Sequence, residues 1–173
     1  MKFLGSLFIL FGLCLPASAN DKFVNIRVNP IGVLAGVANL GADFALTDNF
    51  TLGVQGSYIK LSVTDTEATA NSYGVAAQYF FTEAFADSWY LGASYEFLSS
   101  DAKNKTTNEQ ASLDGSIVGG VIGYMWMWTN FNIQLGLGFQ ALKIESPPAG
   151  STINIDDLNL TLPRIDFSLG WAF

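Results

Sequence analysis

The sequence contains no histidine, and its single cysteine, Cys14, lies near the start of the chain. Without histidine, a Ser-His-Asp triad and other imidazole-based acid-base chemistry are excluded as they are ordinarily built. Beyond Cys14 there is also no residue for a disulfide, a thiol nucleophile or a thiolate metal site, and zinc or copper binding is not expected. We therefore expect a protein that is not an enzyme and has no cofactor and no resident metal.

Charge is the second scarce property. Charged residues make up 13% of the chain, against about 25% in an average soluble domain. Hydrophobic residues reach 50% and aromatic residues 14%. So little charge is hard to reconcile with a surface fully exposed to water. The net charge of -7, with lysines scattered singly, also gives no electrostatic footprint for nucleic acid.

Long hydrophobic runs are missing from most of the chain. After the first twenty residues the longest is "IVGGVIGYMWMW", which is shorter than the roughly 20 residues that a membrane-spanning helix needs. Only helices and closed strand barrels satisfy every backbone polar group within hydrocarbon. The composition of a membrane protein without a spanning helix therefore predicts a β-barrel.

The first stretch, "MKFLGSLFILFGLCLPASAN", has the layout of a secretory signal peptide. Lys2 precedes an apolar run, Pro16 breaks it, and small residues lead to a predicted cleavage after Ala19. A lipoprotein site at Cys14 is the alternative, but Leu13 stands where such a site needs a small residue. We expect a signal peptide at 1–19 and one exported domain at 20–173, and export without disulfides fits the bacterial envelope.

Strict alternation of apolar and polar residues, the period of a strand with two unlike faces, recurs through the rest of the chain. In "FNIQLGLGF" large apolar residues alternate with Asn, Gln and Gly. The pattern predicts an all-β, eight-stranded, antiparallel up-and-down transmembrane barrel, since bacterial single-chain barrels have an even number of strands. The predicted strands are 22–29, 33–46, 50–63, 71–82, 88–100, 112–128, 131–145 and 159–173.

Connections of two lengths alternate between these strands. The segments 47–49, 83–87 and 128–130 are short, whereas 64–70, 101–111 and 146–157 are longer and polar. Outer-membrane barrels have short periplasmic turns and longer external loops. In the first hairpin, "NPIG" is expected to form an external turn, and Gly36 and Gly41 to mark bulges.

The apolar rows are expected to face lipid. The alternative is a soluble lipocalin-like barrel with those rows turned inward around a ligand, but its outer surface would then carry very few charges and its interior would be overfilled. Aromatic residues near the short turns and the C-terminus predict an interfacial girdle. Its members are Phe50, Tyr79, Phe81, Trp89, Trp126, Trp128, Phe131, Trp171 and Phe173.

The opposite face of the strands carries the charges that we expect inside the barrel. They are Arg27, Asp43, Glu96, Arg164 and Asp166. Enclosed charges must be paired to offset their desolvation, so these five are predicted to form a luminal ion-pair network that plugs the interior. An eight-stranded barrel has an interior just wide enough for side chains to fill, although many luminal Gly and Ala residues leave room for a narrow path. A small channel or carrier for a polar or hydrophobic solute is therefore the alternative function.

Carboxylates on the predicted external loops offer a calcium site as a further alternative, because Ca²⁺ prefers oxygen ligands. Asp65 lies close to Glu67, and Asp156 is followed by Asp157. Such residues more often simply keep a loop solvated, so no metal site is assigned here.

The chain ends in "RIDFSLGWAF", where every second residue is apolar. This row resembles the terminal signal by which outer-membrane proteins are recognised for assembly, and the signal residues would be Ile165, Phe167, Leu169, Trp171 and Phe173. The stretch "VNPIGVLAGVANLGADFALTDNFTLGVQGSY" also resembles the small bacterial outer-membrane β-barrel domain proteins of the opacity-protein, OmpX and OmpA-barrel type.

This resemblance implies a place in the bacterial outer membrane and a structural or loop-presenting role in interaction or adhesion. The expected partners are outer-membrane lipid, lipopolysaccharide and, during biogenesis, the barrel-assembly machinery. The protein is expected to be a monomer that binds no nucleic acid.

Overall fold

The computed structural model describes residues 22–34, 36–63, 66–104, 110–144 and 158–173. Eight antiparallel strands, each paired with its neighbours in sequence, close into one barrel when β1 pairs with β8. The strands are β1 (Val24–Val28), β2 (Val37–Ala45), β3 (Phe50–Val63), β4 (Thr66–Phe80), β5 (Ser88–Asn104), β6 (Gln110–Trp128), β7 (Phe131–Ile144) and β8 (Leu158–Ala172). The predicted eight-stranded up-and-down barrel is confirmed.

The first hairpin differs from the prediction. Instead of a tight turn at "NPIG" and a strand from residue 33, the chain forms a short helix, α1 (Pro30–Leu34). Pro30 suits the first helical position, and the Asn29 side chain caps the helix by accepting a hydrogen bond of 2.8 Å from the backbone nitrogen of Gly32. Gly36 follows with a φ of 81°, a left-handed conformation that glycine adopts at little cost.

Gly41 does not mark a bulge, so that prediction is wrong. It lies opposite Arg27 on one side and Gln55 on the other, within ladders of constant register. Gly41 instead avoids a close contact, because a Cβ atom at this position would lie 3.3 Å from the side chain of Arg27. The glycine therefore gives the arginine room inside the barrel.

Strands on one side of the barrel run further than predicted. The segment 66–70 belongs to β4, and β5 and β6 reach Asn104 and Gln110, although these stretches were expected to be polar loops. Polarity indicates exposure to water, but it does not prevent backbone pairing. We call the end of the barrel that these extended strands reach the loop end. The other end, with the turns at 46–49, 81–87 and 129–130, is the turn end.

The large apolar side chains face outward along the middle of the barrel. We call this surface the apolar band, and Ile165, Phe139, Tyr73 and Leu137 within it are 69%, 68%, 64% and 63% exposed. The lipocalin-like arrangement, with these rows turned inward, is therefore wrong for this part of the barrel. Further exposed members of the band are Leu40, Val54, Val75, Leu91, Tyr95, Phe97, Val118, Ile122 and Leu135.

Several predictions fall outside the described residues: the signal peptide at 1–19, the lipoprotein alternative at Cys14, and the carboxylates of Asp65, Asp156 and Asp157. The side chain of Glu67 is likewise not described. Among the helices of the described ranges, none has the length and apolar character needed to cross a membrane.

Candidate functional site

The interior of the barrel at the turn end is filled by apolar side chains. Phe80, Phe85, Tyr90 and Met125 are fully buried, and the rings of Phe80 lie 6.4 Å from Phe85 and 5.8 Å from Tyr90. Ala45, Ala84 and Ala172 complete this cluster, which we call the apolar base. The prediction of a polar interior missed this cluster: Phe80, Tyr90 and Met125 stand at inward positions at the ends of their strands, and Phe85 comes from a turn.

The turn at 81–87 is held in place by hydrogen bonds to its neighbours. The backbone nitrogen of Thr82 donates to the Ser88 hydroxyl at 3.1 Å, and the Asp87 carboxylate accepts from the backbone nitrogen of Met127 at 2.9 Å. Asn49 from the preceding turn donates to the carbonyls of Phe80 and Thr82. These contacts let Phe85 keep a φ of 58°, which is uncommon for a residue other than glycine.

Above the apolar base lies a layer of buried amide side chains, which we call the amide layer. Asn132 donates to the Asn25 side-chain oxygen at 2.7 Å, and Gln78 donates to Gln134 at 3.4 Å. Thr51 and Ser168 are buried at the same end. These residues occupy inward positions that the alternation assigns to the lumen, so their placement follows from the sequence pattern.

The next layer contains a buried ion pair. The Nε atom of Arg27 lies 2.7 Å from the Asp43 carboxylate, and the two side chains are 6% and 1% exposed. Arg27 also donates to Gln55 at 3.2 Å, Gln55 donates to Glu96 at 2.7 Å, and the Ser72 hydroxyl donates to Glu96 at 2.6 Å. We call this connected group the charged layer, and it joins three of the five predicted luminal charges.

The other two predicted charges face the same interior but have different partners. Asp166 is buried and accepts a hydrogen bond of 3.1 Å from the Tyr90 hydroxyl, which connects it to the apolar base. Arg164 is half-buried and donates to the Ser94 hydroxyl at 2.7 Å. Arg27 and Asp43 thus form an ion pair, whereas Glu96, Arg164 and Asp166 form hydrogen bonds with uncharged side chains.

Space between these layers is small. A cavity of about 10 Å³ lies between Arg27, Gln78, Ser94, Arg164 and Asp166. This volume is close to the minimum that holds a single water molecule. Between these five residues, the side chains therefore leave space for about one water molecule.

The polarity of both barrel faces reverses toward the loop end. There the inward positions of β3 and of β5 to β8 carry apolar side chains that we call the apolar collar: Ile59, Leu98, Ile117, Leu142, Leu160 and Leu162. The outward positions at the same level form a polar belt: Lys60, Asn71, Ser99, Ser116, Lys143 and Thr161. The prediction of one lipid-facing apolar row missed this reversal.

The predicted aromatic girdle lies on the outer surface at the turn end. Trp89, Trp128, Trp171 and Phe173 are between 50% and 59% exposed, and Trp128 stacks on Phe131 with ring centroids 6.0 Å apart. Tyr79, Phe81 and Trp126 are exposed as well, and Phe50 and Phe131 are partly exposed. In the terminal row, Ile165 also points outward with Trp171 and Phe173, and Phe167 and Leu169 are half-buried on that face.

Within the part of the chain that the structure describes, no three Asp, Glu, His or Cys side chains come together as a metal site would require.

The fold and the layered interior define the class as a small, eight-stranded β-barrel of the outer-membrane type. By sequence, the chain belongs to the family DUF3575, described as a protein of unknown function, whose model matches residues 6–151. No curated protein sequence matches the chain.

Two solved structures share the fold. Neisserial surface protein A (NspA) has 12% identity and a TM-score of 0.59, with 89% of this chain and 98% of that chain covered. The N-terminal β-barrel domain of Pseudomonas aeruginosa OprF has 14% identity and a TM-score of 0.55, with 87% and 96% covered. At these identities the likeness extends to the fold alone.

Proposed function

We propose that this protein is a non-enzymatic barrel of the bacterial outer membrane whose interior is closed to solutes, and that it acts by stabilising the envelope or by presenting its loop end to partners. The turn end, with its aromatic girdle, faces the periplasm. The loop end faces the outside of the cell. In this arrangement the apolar band lies in the hydrocarbon of the bilayer.

The observation that supports the proposal is the succession of buried side-chain layers inside the barrel. The apolar base, the amide layer and the charged layer follow one another, and the cavity at the charged layer measures only about 10 Å³. A hydrated ion or a small solute needs a continuous path, and these layers leave little room for one. The geometry therefore favours a structural or interaction role over the alternative of a channel or carrier.

Conductance across a planar bilayer tests this proposal. The purified, folded protein should give no discrete current steps under conditions in which a general porin conducts. Replacing Phe80 and Phe85 together with Ala removes two fully buried rings of the apolar base and should increase leakage. Reproducible steps from the unmodified protein would overturn the proposal of a closed interior.

The proposed placement in the membrane predicts that a charge introduced at two outward-facing positions will change the free energy of unfolding by very different amounts. Leu137→Arg puts a charge on a side chain that is 63% exposed in the apolar band, and such a change near the bilayer midplane costs about 2–4 kcal/mol. Thr161→Arg, in the polar belt, is the matched control and should have little effect. The measurement is the free energy of unfolding by urea from vesicles, and equal effects of the two changes would contradict a lipid-facing band.

A further inference from the structure

The outer wall of the barrel carries a groove on β5, β6 and β7, between the apolar band and the turn end. We call it the aromatic groove, and its side chains are Trp89, Ile122, Tyr124, Trp126, Leu135 and Leu137. Its volume is about 490 Å³, within the range of roughly 300–1,000 Å³ that small-molecule sites in proteins have. Because every one of these side chains is apolar or aromatic, the groove suits a hydrocarbon chain.

The aromatic wall of the groove is held by contacts between its own rings. Tyr124 is half-buried between two tryptophans, with ring centroids 5.4 Å from Trp89 and 5.0 Å from Trp126. Leu137 rises beside the groove and is 63% exposed. A groove that is already formed needs little ordering when it takes up a ligand, which lowers the cost of binding.

The groove begins at the level of the aromatic girdle, to which Trp89 and Trp126 belong. In the proposed placement these rings lie among the lipid headgroups of the periplasmic leaflet. From there the groove continues past Leu135 to Leu137, toward the middle of the barrel. It therefore extends from the headgroups into the hydrocarbon, the two regions that a single phospholipid occupies.

The turn end next to the groove is acidic. The turns 46–49, 81–87 and 129–130 contain Asp48, Glu83 and Asp87 but no lysine or arginine. Lys22 borders a cleft at the same end together with Glu83 and Asp87, which leaves this end negative overall. An anionic headgroup is repelled there, whereas a headgroup that carries an ammonium is attracted.

Asp87 is the carboxylate at the lower end of the groove. It stands two residues before Trp89, is exposed, and accepts a hydrogen bond of 2.9 Å from the backbone nitrogen of Met127, the residue after Trp126. That bond fixes the side chain beside the two tryptophans. A carboxylate has further acceptor positions, and an ammonium is a strong donor to them.

We propose that the aromatic groove binds one phospholipid of the periplasmic leaflet whose headgroup ends in a primary ammonium, as in phosphatidylethanolamine. An acyl chain lies along the groove, and the ammonium donates to Asp87. The quaternary ammonium of phosphatidylcholine has no N–H to donate, and phosphatidylglycerol has a net negative charge. The inference rests on the membrane placement in the proposed function and adds the lipid that the groove selects.

The four tryptophans of the chain provide the test. Trp128→Phe with Trp171→Phe leaves only the two groove tryptophans, and Trp89→Phe with Trp126→Phe leaves only girdle tryptophans outside the groove. Each variant is folded into phosphatidylcholine vesicles that contain a small fraction of a brominated lipid, which quenches nearby tryptophan fluorescence. Brominated phosphatidylethanolamine should quench the groove pair about two- to fivefold more than brominated phosphatidylglycerol, the usual effect of an exposed ion pair. The outside pair should show a much smaller difference, and the same ratio for both pairs would overturn the proposal.

Charge removal identifies the group that selects the headgroup. Asp87→Asn keeps a side-chain oxygen for the Met127 nitrogen, and heat-modifiable gel mobility shows that the variant is folded. It should lose the preference of the groove pair for phosphatidylethanolamine, whereas Glu83→Gln, which removes the same charge from the same turn, should retain it. A preference that survives Asp87→Asn would overturn the proposal. Absence of quenching of both pairs by both lipids would instead overturn the membrane placement of the proposed function, and this inference with it.

Discussion

Replacing Arg27 with Met should lower the free energy of unfolding by about 3–5 kcal/mol, the usual effect of removing one partner from a buried ion pair. Asp43 is 1% exposed at its side chain and lies 2.7 Å from the Arg27 Nε atom. Without the guanidinium, its carboxylate would stay buried next to the uncharged wall of the barrel. Gln55 would also lose the hydrogen bond that it accepts from Arg27. Urea unfolding of the protein in vesicles measures the loss.

A double-mutant cycle separates the ion pair from the rest of the interior. Arg27→Met combined with Asp43→Leu should recover most of the stability, because a buried ion pair replaced by apolar residues is often neutral. Arg164→Met is the matched single change, and its effect should be smaller because Arg164 is half-buried and donates to the neutral Ser94 hydroxyl. An equal loss in the single Arg27 variant and in the double variant would contradict the assigned role of the pair.

The eight strands could be predicted because alternation and turn spacing are local properties of the sequence. In "FNIQLGLGF" the period of two places Asn132 and Gln134 inside and Leu135 and Leu137 outside, and the structure has the same arrangement. The short helix α1 was harder to predict, since "NPIG" is compatible with both a turn and a helix start. The capping hydrogen bond of Asn29 favours the helix.

The sequence also contains a signal for the apolar collar, but a single alternating row of apolar residues does not describe it. In "LNLTLPRIDFSLGWAF" the apolar residues stand at even positions up to Leu162 and at odd positions from Ile165 onward. The same change of phase separates Phe97 from Leu98 on β5 and Phe139 from Leu142 on β7. Since successive side chains of a strand point to opposite faces, a phase change exchanges the apolar and polar faces without breaking the strand.

The sequence predicts which residues line the candidate site, but it does not predict which of them contact one another. Alternation places Arg27, Asp43, Glu96, Arg164 and Asp166 on the inner face, but the partner of each depends on the register of strands that are distant in sequence. The link from Arg27 through Gln55 to Glu96 spans three strands, and Tyr90 reaches Asp166 from the opposite wall. Phe85 had no periodic signal, because a turn folds it into the barrel.

The second large effect is expected at the last residue. Phe173→Asp should reduce the amount of protein in the outer membrane severalfold, if the terminal row is the assembly signal that we propose. The Phe173 backbone bonds to the start of β1 and the residue before it, donating to Val24 at 2.8 Å and accepting from Phe23 at 2.5 Å. A substitution keeps these backbone bonds, whereas a deletion would remove them. The 59% exposed ring is therefore the group that this variant tests.

Two causes of a low level in the membrane can be distinguished in the Phe173→Asp variant: a loss of folded stability and a loss of recognition by the assembly machinery. A charge near the membrane interface costs only about 0–1 kcal/mol, so the refolded Phe173→Asp protein should unfold at nearly the urea concentration of the original. Phe173→Tyr keeps an aromatic ring and should restore normal levels in the membrane. Low levels together with near-normal stability would therefore mean that the assembly machinery reads the terminal side chain, whereas undiminished levels of Phe173→Asp would refute that role.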